Sequence, residues 1–180
     1  MLPRDIASVV DSKSEISRSD IGTLPGGLHS VGNAINNLRH ITGTASLPNG
    51  HFLAFIWIKD LGMRKIGEIA DGTYTAGQAI NKSDEVVGFG GSGPTPFYWT
   101  QATRIIPLGT LGGTAGYAFS INDGGMIAGY TSINTGAIHA TLWNNYTSSP
   151  QDLGTLNGGA NSYGRSINNL GQIAGYADVP

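Results

Sequence analysis

Ala34-Ile35-Asn36, Ala79-Ile80-Asn81, Ser120-Ile121-Asn122 and Ser166-Ile167-Asn168 are four copies of one phrase, a small residue followed by Ile-Asn. Seven residues after each Asn stands a glycine, at Gly43, Gly88, Gly129 and Gly175. Another glycine stands fourteen before it, or thirteen in the third copy, at Gly22, Gly67, Gly109 and Gly154. Nine and ten before come the doublets Gly26-Gly27, Asp71-Gly72, Gly112-Gly113 and Gly158-Gly159. Three copies then reach a tryptophan, at Trp57, Trp99 and Trp143. Successive copies lie 41 to 46 residues apart, the length of one four-stranded propeller blade.

Each copy reads as four short β runs divided by turn residues. The first is Ile21-Gly22-Thr23-Leu24 and its echoes Ile66-Gly67-Glu68-Ile69, Leu108-Gly109-Thr110-Leu111 and Leu153-Gly154-Thr155-Leu156. The second ends at Ile-Asn. Its positions four and two before Asn are small in every copy (Gly32 and Ala34, Gly77 and Ala79, Ala118 and Ser120, Gly164 and Ser166). A strand with one small face lets another backbone come close, as packed sheets require. The Asn opens a hairpin, where its side-chain amide can bond the backbone two residues on. The third run is apolar and β-branched, as in Ile41-Thr42-Gly43 and Val86-Val87-Gly88, and the fourth ends at Trp.

The expected fold is therefore all-β and β-propeller-like: one domain over 1–180, with four blade repeats of about 45 residues and four short antiparallel strands each. The repeats are 20–64, 65–106, 107–151 and 152–180, after an N-terminal segment 1–19. The last copy stops after its third run. Its fourth strand is expected from Ile6-Ala7-Ser8-Val9-Val10, which would close the ring and remove exposed strand edges. The runner-up is an open part of a larger ring, completed by a second chain or further repeats.

Composition narrows the function classes. Charged residues make up 12 % of the chain, against about 25 % in a typical domain. With a formal charge of −2 and ten scattered Lys and Arg, there is no electrostatic footprint for nucleic acid. No basic amphipathic helix and no long apolar run point to membrane insertion. The chain as given begins without an apolar leader. It has no cysteine, which excludes disulfides, thiol nucleophiles and cysteine metal sites.

The unit Asp152-Leu153-Gly154-Thr155-Leu156, then Gly158-Gly159, then Ser166-Ile167-Asn168-Asn169-Leu170-Gly171-Gln172-Ile173-Ala174-Gly175-Tyr176, resembles the bacterial "probable extracellular repeat, HAF family". The His-Ala-Phe triplet behind that name is present in parts, in His139-Ala140-Thr141-Leu142-Trp143, Ala54-Phe55-Ile56-Trp57 and Phe97-Tyr98-Trp99. The resemblance covers residues 20–180. It implies a surface or secreted β-repeat protein and carries over no catalytic residues.

No residue pattern announces a reaction. Gly88-Phe89-Gly90-Gly91-Ser92-Gly93 lacks the helix and the Gly-Lys-Ser/Thr of a phosphate loop and reads as turn glycine. His29, His40, His51 and His139 have no paired metal spacing. Asp60, Glu68, Asp71, Asp84, Glu85, Asp123 and Asp152 mostly fall in turns, where solvated Asp is ordinary. The tryptophans recur at one repeat position and read as blade core.

The variable aromatics are the better candidates for binding. His29, Tyr74, Tyr117 and Tyr163 lie in or beside the first turns and differ between copies, with Asn161 nearby. Loops that vary on a constant scaffold are where recognition residues collect. The first turns are expected on one face and the Ile-Asn hairpins on the other. The resulting expectation is a non-enzymatic surface module, with no cofactor or metal, binding a glycan or a protein as a monomer or ring-completing homodimer. Two alternatives stay open: a structural fragment of a larger propeller, and a hydrolase whose carboxylates meet only on folding.

Overall fold

The alternation of small and large side chains before each Ile-Asn pair builds the extended inner strand of each repeat. The computed structural model describes residues 8–11, 17–69, 72 and 74–179. Among them all regular elements are strands. A hairpin of β1 (Ser8–Asp11) and β2 (Ser17–Asp20) comes first. Three antiparallel four-stranded sheets follow. The first holds β3 (Ser30–Ile35), β4 (Ile41–Ser46), β5 (Phe52–Ile58) and β6 (Gly62–Lys65). The second holds β7 (Thr75–Ile80), β8 (Val86–Gly90), β9 (Thr95–Thr100) and β10 (Arg104–Pro107). The third holds β11 (Gly112–Ile121), β12 (Ile127–Ile133), β13 (Ile138–Trp143) and β14 (Gln151–Asp152). A last pair, β15 (Ser162–Ile167) and β16 (Ile173–Ala177), ends the chain's regular structure.

One expectation needs correction. The first runs, from Ile21, Ile66, Leu108 and Leu153, are not strands; the outer strand of each sheet lies just ahead of them, in β6, β10 and β14. Their second residue is the reason in three copies: Gly22, Gly67 and Gly154 have φ of 76°, 145° and 69°, which turns the chain out of the sheet. One backbone bond to the neighbouring strand survives in three copies, from Ile66 N to Ala54 O (2.8 Å), Leu108 N to Pro96 O (2.8 Å) and Leu153 N to Ala140 O (2.9 Å). Ser8-Val9-Val10 of the expected closing strand lie in β1. They pair with β2, and β1 and β16 belong to separate sheets. Ile6 and Ala7 of that strand lie outside the described residues.

The repeated glycines have a steric cause. In all four copies the inner strand slips register beside the small residue, between Gly32 and Ala34, Gly77 and Ala79, Ala118 and Ser120, and Gly164 and Ser166. The slip, a β-bulge, tips one carbonyl towards the partner strand. A Cβ on Gly43, Gly88, Gly129 or Gly175 would sit 1.9 Å from the oxygen of Val31, Ala76, Tyr117 or Tyr163, respectively. The small face works across sheets as well. A Cβ on Gly77 would come within 2.1 Å of Thr42 Oγ1, and one on Gly164 within 2.6 Å of Gly129 O.

Two of the three apolar clusters among the described residues join neighbouring repeats. Ala54 and Ile56 of the first sheet pack with Ile66, Ile69, Ile80, Val86, Phe97 and Trp99 of the second repeat. Val87 and Tyr98 of the second sheet pack with Leu108, Ala118, Ile121, Ile127 and Trp143 of the third. Ile21 and Leu24 cover Ile41, Leu53 and Phe55 in the first repeat. The tryptophans are core residues, Trp99 and Trp143 fully buried and Trp57 half-buried against the Ile21–Leu24–Phe55 cluster. Their indoles differ: Trp143 Nε1 donates to Gly109 O at 2.9 Å, while Trp99 Nε1 is buried with no partner.

Two stability predictions follow from this packing. Gly88→Ala and Gly129→Ala should each lower unfolding free energy by about 2 kcal/mol or more, the range for forced overpacking. Gly93→Ala, where a Cβ meets nothing within 4 Å, should stay within about 0.5 kcal/mol of wild type in the same urea titration. Trp143→Phe leaves Gly109 O without its donor, whereas Trp99→Phe removes an unpaired buried donor. Trp143→Phe should therefore cost about 1 kcal/mol more than Trp99→Phe by thermal unfolding.

Candidate ligand-binding site

The Ile-Asn hairpins fix the frame on which any site is built. Each Asn side chain accepts from two backbone amides of its own turn. Asn36 Oδ1 takes Leu38 N and His40 N, both at 3.0 Å. Asn122 Oδ1 takes Gly124 N at 3.0 Å and Met126 N at 2.9 Å. Asn81 and Asn168 do the same. The other end of the amide reaches the next repeat: Asn36 Nδ2 donates to Asn81 O (2.9 Å), Asn81 Nδ2 to Asn122 O (3.0 Å) and Asn122 Nδ2 to Asn168 O (3.0 Å). All four hairpins line one cavity of about 370 Å³, with Ile35, Ile80, Ile121 and Ile167 contributed one per repeat. The first turns lie at the opposite ends of the inner strands, since β3, β7 and β15 run from turn to Asn.

Across the first two strands of repeats two to four, with Tyr74 just ahead of β7, aromatic side chains form a continuous row. Ring centroids run from Tyr74 to Phe89 (6.0 Å), Phe89 to Tyr117 (4.5 Å), Tyr117 to Tyr130 (4.9 Å), Tyr130 to Tyr163 (4.9 Å) and Tyr163 to Tyr176 (4.6 Å). Phe119 braces the middle, 5.9 Å from Tyr117 and 5.4 Å from Tyr130. The arginine of repeat four, Arg165, lies 4.4 Å over the Phe119 ring and 5.4 Å from that of Tyr176, and donates to Tyr176 Oη at 3.1 Å. Phe89, Tyr117, Phe119, Tyr130 and Tyr163 are half-buried, while Tyr74, Tyr176 and Arg165 are exposed. Burial lifts the Tyr130 phenol above its ordinary value, against the opposing pull of the Arg165 charge.

Three of the five residues singled out from sequence, Tyr74, Tyr117 and Tyr163, thus belong to this row. The other two do not. Exposed His29 instead joins the chain to Ser46, whose Oγ accepts its backbone amide at 3.0 Å. Asn161 is a strut between repeats three and four: its Oδ1 takes Ile138 N at 2.9 Å and its Nδ2 gives to Asp178 at 2.7 Å. Sequence reading missed Phe89, Phe119, Tyr130, Tyr176 and Arg165. A signal for three of them was present, since Phe89, Tyr130 and Tyr176 each follow the repeat glycine directly. They also stand opposite Ala76, Tyr117 and Tyr163 in the strand register.

A second concave region lies on the last repeat. A groove of about 290 Å³ is lined by Leu153, Leu156, Ile173, Tyr176 and Ala177 among others. Leu153 is 44 % and Leu156 58 % exposed, whereas Ile21 and Leu24 at the same repeat positions are 6 % and 2 %. The pairing differs as well: β4, β8 and β12 each have a third strand beside them, whereas among the described residues β16 pairs with β15 alone.

The titratable groups mostly make structural bonds. His40 Nδ1 lies 2.8 Å from Asp84, which also accepts from Asn36 Nδ2, again at 2.8 Å. Glu85 accepts from Tyr98 Oη at 2.6 Å and from Asn81. Burial first, then that bond to Glu85, pushes the Tyr98 phenol well above its ordinary value. His139 Nδ1 lies 2.8 Å from Asp152. Burial pushes the Asp152 carboxyl up, but the His139 bond and the Gly154 amide outweigh it and hold the group below its usual range. Among the described residues, no three His, Asp or Glu side chains gather as a metal site, and no helix is long and apolar enough to cross a membrane.

Fold and site together define an all-β protein of antiparallel sheet repeats with an aromatic row across the first two strands of three repeats. Comparison with protein-family models, with curated proteins and with solved structures finds no match to the chain.

Proposed function

We propose that the chain is a non-catalytic binding module whose four repeats close into a small four-bladed propeller, with a glycan held along the aromatic row. The carrying observation is the row itself: seven rings from three repeats in unbroken contact, partly open to solvent. Tyrosine offers a flat apolar face and a hydroxyl donor at once, which suits the alternating CH faces and hydroxyls of a sugar chain. A rigid repeat scaffold presents such a track without paying to order it on binding. The resemblance of the glycine-spaced unit to HAF repeats supports display at the cell surface or outside the cell.

Closure of the ring is supported by register. β1 pairs with β2 as Val9↔Ser19 and Val10↔Arg18, the frame in which Ile56↔Arg64 and Trp57↔Met63 join β5 to β6. β9 and β10 pair in the same frame, Tyr98↔Ile106 and Trp99↔Ile105. The N-terminal hairpin is thus the outer half of a blade and β15–β16 an inner half. Because β4 meets β5 as Thr42↔Ile56 and β8 meets β9 as Val87↔Tyr98, closure would set Ala174 opposite Val9. The cavity shared by all four Ile-Asn hairpins favours closure within one chain over closure by a second.

Cross-linking tests the ring. In this cysteine-free chain, oxidised Val9→Cys/Ala174→Cys should run as a disulfide-bonded monomer, because opposed strand positions suit a disulfide. A disulfide-linked dimer would instead indicate a ring completed by a second copy, and no cross-link would argue against both. For binding, Tyr74→Ala, Tyr117→Ala and Tyr163→Ala should each weaken glycan-array signal several-fold. If wild type binds a glycan and all three variants bind it equally, the row is not the site; capture of proteins alone would favour a protein ligand.

A further inference from the structure

From the position of Arg165 we infer, building on the glycan reading above, that the ligand is an acidic polysaccharide whose uronate carboxylate meets this guanidinium. The position is a variable one: Arg165 stands three residues before its Asn, where the other copies carry Asn33, Gln78 and Phe119. Arg165 is therefore not needed by the repeat as such. Asn33 at the same place donates from Nδ2 to Gly77 O at 2.8 Å, a structural bond to the next repeat. Arg165 instead leans back over the aromatic row.

Its setting is unusual for an exposed arginine. No carboxylate pairs with it among the described residues, where the other ion pairs join His40 to Asp84, Lys65 to Glu68 and His139 to Asp152. The Phe119, Tyr130 and Tyr176 rings surround the guanidinium at 4.4, 5.6 and 5.4 Å, and the Tyr176 hydroxyl takes one N–H at 3.1 Å. Stacking on ring faces holds the planar fork in place while leaving its remaining N–H groups unspent. A fixed fork beside aromatic surface matches a planar carboxylate on a sugar ring: two N–H bonds to the acid and ring contact for the carbohydrate body. The same fork matches the oxygens of a sulfate or phosphate ester, so a sulfated glycan is one arm of the test. The chain's formal charge of −2 gives no long-range pull on anions, so recognition rests on this local contact and salt should weaken it only moderately.

The test compares oligogalacturonate with its fully methyl-esterified form, which keeps the sugar backbone and removes the carboxylate charge. Isothermal titration uses wild type, Arg165→Gln, Arg165→Lys and Tyr117→Ala, each checked for an unchanged thermal unfolding curve. Wild type should bind the acid roughly tenfold tighter than the ester, the scale of one charged hydrogen-bonded contact. Arg165→Gln should abolish that preference, Arg165→Lys should restore it only in part, and Tyr117→Ala should weaken both forms alike. Equal binding of acid and ester by wild type, with no effect of Arg165→Gln, overturns the inference and leaves the aromatic reading standing. Arg165-dependent binding of a sulfated glycan but not of the uronate overturns the carboxylate assignment. Failure of acid, ester and a neutral glycan panel alike overturns both the inference and the glycan reading.

Discussion

One asparagine amide per repeat ties this structure together. Its oxygen closes the hairpin in which it sits, and in three of the four repeats its nitrogen bonds the corresponding carbonyl of the next. Each of these three side chains makes at least three hydrogen bonds in half-buried or buried surroundings, where each is worth on the order of 1 kcal/mol. No other residue type does both tasks with so short a side chain. Asp lacks the donor, Ser lacks the second group, and Gln adds a methylene that spoils the local turn geometry. The relay sets the spacing between repeats, and the bulges, glycines and small faces then let sheets stack at that spacing.

A division of labour along the inner strand follows. Positions that face the neighbouring sheet are constant and small, because a Cβ there would strike backbone or side chain at 2.1 to 2.6 Å in two of the four repeats. The larger positions between them carry no such constraint and vary freely: Val31 and Asn33, Ala76 and Gln78, Tyr117 and Phe119, Tyr163 and Arg165. Only the last two repeats place aromatic or cationic groups at both. Tyr117, Phe119, Tyr163 and Arg165 therefore sit where the scaffold permits variation.

Much of the repeat was legible in the chain because its constraints are local. The Asn turns, the small face and the burial of the tryptophans each follow from residues a few positions apart. The outer strand was misplaced because Ile21-Gly22-Thr23-Leu24 and its echoes look extended by composition. The positive φ of Gly22 and Gly67, with Ile66 and Ile69 buried in the core, marks them as a connector. The inter-repeat bonds of Asn36, Asn81 and Asn122 were illegible, since a side chain already satisfied by its own turn gives no sign of a second partner. Of the candidate site, the sequence indicated Tyr74, Tyr117 and Tyr163, which stand near first turns. Tyr130 and Tyr176 come into view only once β11 pairs with β12 and β15 with β16, because cross-strand neighbours are set by register and not by sequence distance. Asn161 lies apart from the row, and its bonds to Ile138 and Asp178 give no sign of themselves in a polar residue at a turn.

The relay is most directly tested at Asn122, which links the third repeat to the fourth. Asn122→Asp keeps the oxygen that holds the turn and loses the amide that reaches Asn168 O, while Asn122→Ala loses both. Urea unfolding of the two variants separates turn from relay. If the relay carries stability, Asn122→Asp falls below wild type by about 1 kcal/mol or more and Asn122→Ala falls further. An Asn122→Asp protein as stable as wild type, with only Asn122→Ala impaired, would contradict it.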